Sequence, residues 1–295
     1  MGIGMKYILI GSNSTMAIDF AKYLDDLGFI VIGVSNGNNI NPYLQQFHCA
    51  TNPEIYELLS SIIEGATIVY FAWRSPNRTN RGLETYSENL SIYDLQNYLS
   101  LVPLLNANKF VFISSAGAIY GSSNSMNFED SPLLPVTKYG KEKLEAELLL
   151  SQSIPEDKLL VCRVTNPYGF YIPPKKGIGF VDRALFTALD EGFVNVFGSG
   201  VIERDYIHIQ DVCMAIFDLV ELNLSGVFNI SSGMHFKIID LARHIQQRVK
   251  NCQIRFINVQ ESPIKTCKVS NNKLINFAPL KLSNLYNYID DYIET

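Results

Sequence analysis

The sequence lacks the features that mark several large classes of protein. Its 295 residues include 5 cysteines and 4 histidines, and 29 acidic residues outnumber 24 basic ones, for a formal net charge of −5. The cysteines are widely spaced and follow no metal-ligand pattern, which argues against a disulfide framework or a zinc site. There is no basic excess to bind nucleic acid, and no apolar run reaches the ~18 residues of a membrane span. We therefore expect a cytoplasmic globular protein that binds neither metal, nucleic acid nor membrane.

The sequence does contain a repeated alternation of buried strands and helices. Apolar runs without polar alternation predict strands buried on both faces at 7–10, 29–34, 68–72, 110–113 and 159–162. Helices are predicted between them, after Gly11 and at about 52–63, 83–99 and 139–151. This order predicts an α/β fold with a doubly wound parallel sheet, that is, a Rossmann domain.

The rhythm of strands and helices changes after residue 163, where prolines and glycines separate shorter elements. We expect residues 1–166 to form the Rossmann domain, to which the chain returns around 204–231. Residues 167–203 and 232–295 are expected to form a smaller C-terminal α+β domain. Open α/β sheets bind their ligands at the carboxyl edge, which is where we expect this second domain to be built.

The first strand ends in a turn that suits a dinucleotide. Gly11, Ser14 and Ala17 stand where a GxxGxxG pattern would have its glycines. Gly11 permits a tight turn, Ser14 leaves less room beside a pyrophosphate, and the hydroxyls of Ser14 and Thr15 can donate to phosphate oxygens. The same residues also suit an ordinary connection in which Ser14 or Thr15 caps the helix. Both interpretations stay open on this turn alone.

The end of the second predicted strand bears on the choice of nucleotide. Ser35 and Asn36 stand where a site that prefers NAD usually places an acidic residue for the adenosine ribose. Without that carboxylate a 2′-phosphate is not repelled, and no arginine stands nearby to favour it. NAD and NADP therefore both stay open as cofactors, with NAD slightly favoured.

Tyr139 and Lys143 are four residues apart and project from one face of a predicted helix. An ammonium beside a phenol lowers the phenol pKa, so such a tyrosine can act as an acid or base near neutral pH. In a chain with 16 tyrosines the spacing also arises by chance, and Lys141 and Lys143 would then form a solvated face. The position of the pair, one helix start after the strand at 110–113, favours the catalytic interpretation.

Further segments support this interpretation. They are SSAGAIYG at 114–121, PVTKYGKEK at 135–143, RVTNPYG at 163–169, FGSG at 197–200, RDYIHIQD at 204–211 and, more weakly, GVFNISSG at 226–233. In this order and spacing the chain resembles an extended short-chain dehydrogenase/reductase of the NAD-dependent epimerase/dehydratase family, over about residues 5 to 275. The resemblance implies a nucleotide-sugar substrate, an NAD(P) cofactor, a homodimer and a role in polysaccharide biosynthesis. It also implies that residues 1–166 form the dinucleotide-binding domain and that residues 167–203 and 232–295 form the nucleotide-sugar-binding domain.

The resemblance also implies catalytic roles. In this family the tyrosine acts as acid and base on the sugar, and the lysine binds the cofactor ribose; Tyr139 and Lys143 match both. The third member is a serine or threonine four residues before the tyrosine of the YG pair, where this chain has Ala116. We expect the adjacent Ser115 to replace it, although Ser114 and Ser115 could simply end the strand.

Other matches imply contacts with cofactor and substrate. Ala72 lies in the segment that lines the nicotinamide, and the neighbouring Trp73 either packs in the core or shapes the pocket. The substrate-binding positions are Asn89, Asn166, Arg204 and Lys265. Arg204 matches a residue that pairs with a phosphate, which suits a guanidinium, but it could instead pair with a neighbouring carboxylate. Asn89 could equally satisfy a helical kink.

The resemblance favours one reaction over three alternatives. The leading expectation is an NDP-hexose 4-epimerase that works through a transient 4-keto sugar. The missing ribose carboxylate favours, less strongly, an NAD(P)H-dependent reductase of NDP-4-keto-6-deoxy sugars. A dehydratase is disfavoured because Gly117 and Ala118 stand where dehydratases have Asp-Glu. A non-catalytic nucleotide- or sugar-binding protein is the remaining alternative, since several site residues depart from the family pattern.

Overall fold

The structure, a computed structural model, describes residues 6–35, 41–49, 59, 61–73, 90–101, 106–171, 179–258, 264 and 266–295. The chain divides into two compact units. The first consists of Met1–Ser114, Lys138–Arg163 and Ile216–Phe228, and the second of Ser115–Thr137, Val164–Ala215 and Asn229–Thr295. The domain boundary expected near residue 166 stays a prediction.

Strands and helices are interspersed along the described part of the chain. The strands are β1 (Lys6–Ile10), β2 (Ile30–Ser35), β3 (Gln46–Cys49), β4 (Thr67–Tyr70), β5 (Lys109–Ser115), β6 (Ser123–Asn127), β7 (Leu159–Val164), β8 (Asn166–Tyr168), β9 (Phe193–Phe197), β10 (Glu203–His208), β11 (Gly226–Ile230), β12 (His235–Lys237), β13 (Gln253–Ile257) and β14 (Cys267–Val269). The helices are α1 (Thr15–Asp26), α2 (Leu90–Leu101), α3 (Ala116–Ile119), α4 (Lys138–Ser153), α5 (Phe180–Glu191), α6 (Ile209–Glu221), α7 (Ile238–Arg248), α8 (Asn272–Phe277) and α9 (Leu285–Glu294).

A seven-stranded sheet organises the first unit, in the order β11-β7-β5-β4-β1-β2-β3. The pairs β1–β2, β2–β3, β1–β4 and β4–β5 are all parallel. From β1 the chain runs outward to β3 on one side and then, from β4 onward, to the other side. This reversal between β1 and β4 is the topological switch point at which doubly wound sheets bind ligands. The predicted Rossmann fold is confirmed.

Burial explains why the apolar runs form the central strands. Residues 7–10 of β1 and 109–114 of β5 are buried throughout, as expected for strands covered on both faces. Helix α1 buries Ala17, Phe20, Ala21 and Leu24 at the i, i+3, i+4, i+7 spacing of an amphipathic helix. The short strand β3 was not predicted, because its residues, Gln-Phe-His-Cys, do not form an apolar run.

The second unit is built from smaller sheets and helices. Its three-stranded sheet has the order β12-β10-β8, and the pairs β13–β9 and β14–β6 are two-stranded and parallel. Helices α5, α7 and α9 bury apolar residues in the core of this unit, among them Leu185, Leu241 and Ile289. Within the described residues, no helix is long and apolar enough to cross a membrane. Most of the predicted helix at 52–63, and the first part of that at 83–99, lies outside the described residues.

Candidate active site

The turn after β1 lies at the switch point and is in close contact with the end of β4. Gly11 has φ of +80°, in the left-handed region that favours glycine. Its amide donates to the carbonyl of Val34 at 2.7 Å, which ties the turn to the end of β2. A Cβ atom on Gly11 would lie only 2.6 Å from the N and Cα atoms of Ala72. Gly11 is therefore required both by its backbone conformation and by the approach of residue 72.

This turn presents polar atoms that are buried and unpartnered. Ser12 Oγ, Asn13 Nδ2 and Ser14 Oγ have no hydrogen-bond partner among the described residues. Ser14 occupies the N-cap position of α1, with extended φ and ψ, but its side chain makes no capping hydrogen bond. The alternative in which the Ser14 hydroxyl serves as a cap is therefore not realised. Buried polar atoms of this kind normally have a partner, so they point to a ligand.

The ligand chemistry that fits the turn is a diphosphate. Thr15 begins α1, and the amides of a first helical turn have no partner within the helix. Their partial positive charge favours an anion, and the preceding turn carries unpartnered hydroxyl and amide donors. Gly11 lets a phosphate approach the backbone closely. The residues present thus fit the pyrophosphate of a dinucleotide.

Asn41 supports the turn from the segment after β2, and sequence reasoning missed it. Its buried side-chain amide donates to the carbonyl of Ser12 at 3.0 Å, while its Oδ1 accepts from the amide of Tyr43 at 3.1 Å. The only signal in the sequence is an asparagine before a proline, which is typical of turns. Ser35 is buried at the carboxyl end of β2. The other residue expected beside the ribose, Asn36, lies outside the described residues.

Tyr139 and Lys143 lie on the first turns of α4, as predicted. Lys143 is buried, with 4% of its surface exposed, so it does not belong to a solvated face. Its Nζ donates to the carbonyl of Ile113 in β5 at 2.8 Å. The same Nζ lies 3.8 Å from the ring centroid of Trp73 and 5.8 Å from that of Tyr139. The structure therefore brings the predicted acid/base, the predicted ribose-binding lysine and the sole tryptophan together.

Burial changes the protonation of Lys143. Desolvation disfavours the ammonium and lowers its pKa to about 7, while the carboxylates of Glu147 and Glu142 act in the opposite direction. Glu147 is held in place by Arg163, whose guanidinium donates to its carboxylate at 2.7 Å. Lys143 is thus poised to change charge near neutral pH.

The two serines at the end of β5 have different surroundings. Ser114 is buried and donates to Glu147 Oε1 at 2.5 Å, so its hydroxyl has a structural partner. Ser115 is partly exposed at the N-cap position of α3, and its side chain makes no capping hydrogen bond. Ala116 is fully buried, and its carbonyl accepts a hydrogen bond from the Cys267 thiol at 3.7 Å. Of the two hydroxyls, that of Ser115 is the less committed to the fold.

The second unit contains two of the expected substrate residues. Asn166 donates through its side-chain amide to the carbonyl of Asp205 at 2.6 Å. The guanidinium of Arg204 donates to the carbonyls of Glu203 and Ile264 at 2.8 and 2.5 Å, and burial lowers its pKa. Asn89 and Lys265 lie outside the described residues.

The carboxylates beside Arg204 in the sequence have other partners. Asp205 accepts hydrogen bonds from Thr165, Ser231 and Ser232, and burial raises its pKa. Glu203 forms a 3.5 Å ion pair with Lys268. In the part of the chain that the structure describes, no group of three or more His, Cys, Asp or Glu side chains is placed to hold a metal ion.

Comparison with known proteins gives consistent matches. The profile of the NAD dependent epimerase/dehydratase family matches residues 8–231. A protein of Methanocaldococcus jannaschii, provisionally named UDP-glucose 4-epimerase, is 24% identical over 72% of this chain and 71% of its own length. The dTDP-4-dehydro-6-deoxyglucose reductase of Escherichia coli is 32% identical over 54% of this chain, and the match spans half of its length. The crystal structure of UDP-glucuronic acid 4-epimerase from Bacillus cereus, in complex with UDP-glucuronic acid and NAD, superposes with a TM-score of 0.82 at 20% identity, covering 98% of this chain and 99% of that one.

Proposed function

Because the chain belongs to the NAD-dependent epimerase/dehydratase family, we propose that it modifies nucleotide sugars and that its reaction is the 4-epimerisation of an NDP-hexose. The observation that carries this proposal is the pair formed by Tyr139 and Lys143 on α4. The lysine is buried, donates to the carbonyl of Ile113 and lies beside the tyrosine ring. A buried lysine is costly for the fold, so its position beside a phenol supports a chemical role.

We propose that the first unit holds NAD or NADP through the predicted residues Gly11, Ser14, Thr15, Ser35, Asn36, Ala72, Tyr139 and Lys143. The unpartnered atoms of the turn and the start of α1 support the placement of the pyrophosphate there. When bound, the nicotinamide supplies the acceptor, and later the donor, of the hydride at sugar C4. Solved relatives of the same fold contain NAD, which favours NAD over NADP.

The chain's own residues would then move the proton. Tyr139 takes the proton of the C4 hydroxyl as the 4-keto sugar forms, and returns a proton to the oxygen after the sugar has turned over. The Lys143 ammonium holds the ribose hydroxyls and stabilises the negative charge that develops on the phenol oxygen. Ser115 donates a hydrogen bond to the reacting oxygen, in place of the hydroxyl that Ala116 lacks.

We propose that Asn166 and Arg204 bind the diphosphate of the nucleotide sugar, with Asn89 and Lys265 as further substrate-binding residues. The guanidinium of Arg204 is anchored by two main-chain carbonyls, which orients it before any substrate is present. Such preorganisation reduces the entropy lost on binding a phosphate. These four roles rest on the family resemblance and are tested by substrate affinity.

A second candidate is a reductase of NDP-4-keto-6-deoxy sugars. It is favoured by the match to the Escherichia coli reductase and by Ser35, which offers no carboxylate against a 2′-phosphate. Gly117 and Ala118 supply none of the carboxylates that a dehydratase uses. The fold itself has space for a side chain at Gly117, because a Cβ atom there would contact only Asn166, at 3.9 Å. A protein that binds nucleotide sugars without reacting them is the remaining alternative.

The first experiment is to denature the purified protein and identify any dinucleotide that it releases. The protein is then incubated with UDP-glucose, and the products are separated by chromatography. Retained NAD with formation of UDP-galactose supports the epimerase. An empty protein that consumes NADPH only with an NDP-4-keto-6-deoxy sugar supports the reductase.

Substitution of Tyr139 tests the proposed acid/base chemistry. Tyr139→Phe is expected to reduce turnover by 10² to 10⁴-fold (about the range for losing an acid/base) without loss of the fold. Tyr292→Phe, at a partly exposed position in α9, serves as the control. Unchanged turnover in Tyr139→Phe would overturn the proposed chemistry. We also propose a homodimer, which sedimentation velocity of the same samples would test.

A further inference from the structure

Trp73, the only tryptophan of the chain, follows β4 and has an unusual environment. It packs partly against the core of the first unit and makes an edge contact with Phe112 at 6.0 Å between ring centroids. The Lys143 ammonium lies over its ring, 3.8 Å from the centroid. Its Nε1 atom is buried without a partner among the described residues. Packing against the core does not by itself require an ammonium on the face of the indole.

The groups around Lys143 show what stabilises its charge. On its own helix it faces Glu142, Glu147 and the ring of Tyr139. From β5 it receives the carbonyl of Ile113 and, at 4.7 Å, the ring of Phe112. Arg163 of β7 pairs with Glu147 at 2.7 Å, so this carboxylate is shared between the two cations. An ammonium has three hydrogen-bond donors and is hydrated in water. When it is buried, the indole face replaces part of that hydration.

We propose that Trp73 is a positioning residue for Lys143: its indole face holds the ammonium in its charged form, directed at the Ile113 carbonyl and beside Tyr139. The attraction between a cation and the electron-rich face of an indole is the strongest of the cation–π pairs. This inference rests on the proposed function, because it assigns Lys143 its role in the dinucleotide site. It also predicts a physical property that can be measured without any turnover.

The fluorescence of the protein provides that measurement, because all tryptophan emission comes from Trp73. Emission spectra are recorded from pH 6 to 10 for the wild-type protein and for Lys143→Met. We expect the wild-type emission to change with a midpoint that persists in Tyr139→Phe, and the emission of Lys143→Met to lack that midpoint. The same titration in Lys143→Met would overturn the inference, because the indole would then report another group.

A second variant keeps this test decisive if Lys143→Met does not fold. Glu142→Gln removes a carboxylate that favours the ammonium, so the midpoint of the Trp73 emission is expected to move to lower pH. Glu145→Gln, on the same helix, is the control and is expected to leave the midpoint in place. A midpoint that does not respond to Glu142→Gln would count against Lys143 as its source.

The role of the indole itself is tested by replacing it. The pH dependence of NAD(H) affinity is compared for the wild type, Trp73→Phe and Trp73→Leu. We expect Trp73→Leu to lower the pH midpoint by about one unit, and Trp73→Phe to lower it less, because phenylalanine keeps a weaker π face. Phe110→Leu, which removes a buried ring stacked on Tyr70, is the packing control. If Trp73→Leu loses stability as Phe110→Leu does but keeps the wild-type midpoint, Trp73 only packs and the inference fails.

The inference and the proposed function fail in different ways. A protein that shows the Lys143-dependent titration of Trp73 but no turnover of any nucleotide sugar would overturn the proposed reaction while supporting the contact. A protein that turns over UDP-glucose with an unchanged midpoint in Trp73→Leu would support the reaction and overturn the positioning role.

Discussion

Gly11 and Ala72 approach so closely that a Cβ atom on Gly11 would lie 2.6 Å from the backbone of Ala72. Together with φ of +80°, this leaves no room for any other residue. We expect Gly11→Ala to lower the free energy of unfolding by about 3 kcal/mol, from left-handed strain and displacement of residue 72. Affinity for NAD(H), measured by calorimetry, is expected to fall at least about tenfold because the turn moves.

Gly28 offers the matched control for this substitution. It has φ of +81°, but a Cβ atom there would meet nothing within 4 Å. Gly28→Ala is therefore expected to cost only the conformational strain of about 1 kcal/mol, with NAD(H) affinity unchanged. Equal losses of affinity in the two variants would contradict the importance of the contact between Gly11 and Ala72.

Ser14 is expected to matter for the ligand and not for the fold. Because its buried hydroxyl has no partner, Ser14→Ala should change the free energy of unfolding by less than about 0.5 kcal/mol. If the hydroxyl donates to a phosphate, the Kd for NAD(H) should rise about tenfold. Both quantities are measured on one preparation, by urea unfolding and calorimetry.

Asn284, in contrast to Ser14, is expected to matter for the fold and not for the ligand. Its side chain caps α9 by accepting from the amides of Tyr286 and Asn287 at 3.0 and 3.2 Å. Asn284→Ala should therefore cost about 1 kcal/mol of stability and leave the Kd for NAD(H) unchanged. A large stability loss in Ser14→Ala would show that its hydroxyl serves the fold after all.

Substitution of the two neighbouring serines is expected to affect different quantities, stability at Ser114 and kcat at Ser115. Ser114→Ala removes a buried hydrogen bond to the Glu147 carboxylate and should cost about 2 kcal/mol of stability, with a less than tenfold change in kcat. Ser115→Ala should leave stability within about 0.5 kcal/mol and reduce kcat about 10²-fold. Wild-type kcat in Ser115→Ala would exclude it as the replacement for the hydroxyl missing at Ala116.

The depressed pKa of Lys143 predicts how stability depends on pH. The folded protein releases this proton near pH 7, whereas the unfolded chain keeps it until about the ordinary value of 10.5. Between these values the unfolded state binds more protons, so stability rises with pH. The difference in unfolding free energy between wild type and Lys143→Met should therefore increase by about 2 kcal/mol from pH 7 to pH 9.

Urea unfolding of both proteins at pH 7, 8 and 9 checks this expectation. Subtracting the Lys143→Met curve removes the contributions of groups that titrate alike in both proteins. A difference that stays flat would mean that Lys143 keeps its proton in the folded protein. A difference that falls with pH would contradict a lowered pKa for Lys143 in the folded protein.

The family and the fold could be predicted from the sequence because their signals are local. Apolar runs such as 159–162 mark strands that are buried on both faces, and Tyr139 and Lys143 share a helix face because of the helical period alone. The order of such segments leaves few topologies for a parallel sheet. The doubly wound fold follows from these facts without any knowledge of tertiary contacts.

The environment of each site residue, by contrast, depends on partners that are distant in the chain. Ser114 meets Glu147 across 33 positions, and Asn41 supports the turn at Ser12 from 29 positions away. Nothing in the local pattern distinguishes Ser114 from Ser115, because both stand at the end of the same strand. Only the packing of α4 on β5 commits one hydroxyl to a carboxylate.

Lys143 has some properties that depend on the local sequence and others that depend on tertiary contacts. Its position four residues after Tyr139 was determined by the sequence, as was its place near a helix start. Its burial, its hydrogen bond to Ile113 and the indole face of Trp73 were decided only by the tertiary structure. The physical reason is that helical geometry is set by neighbours along the chain, whereas desolvation and cation–π contacts are set by what the fold brings against the side chain.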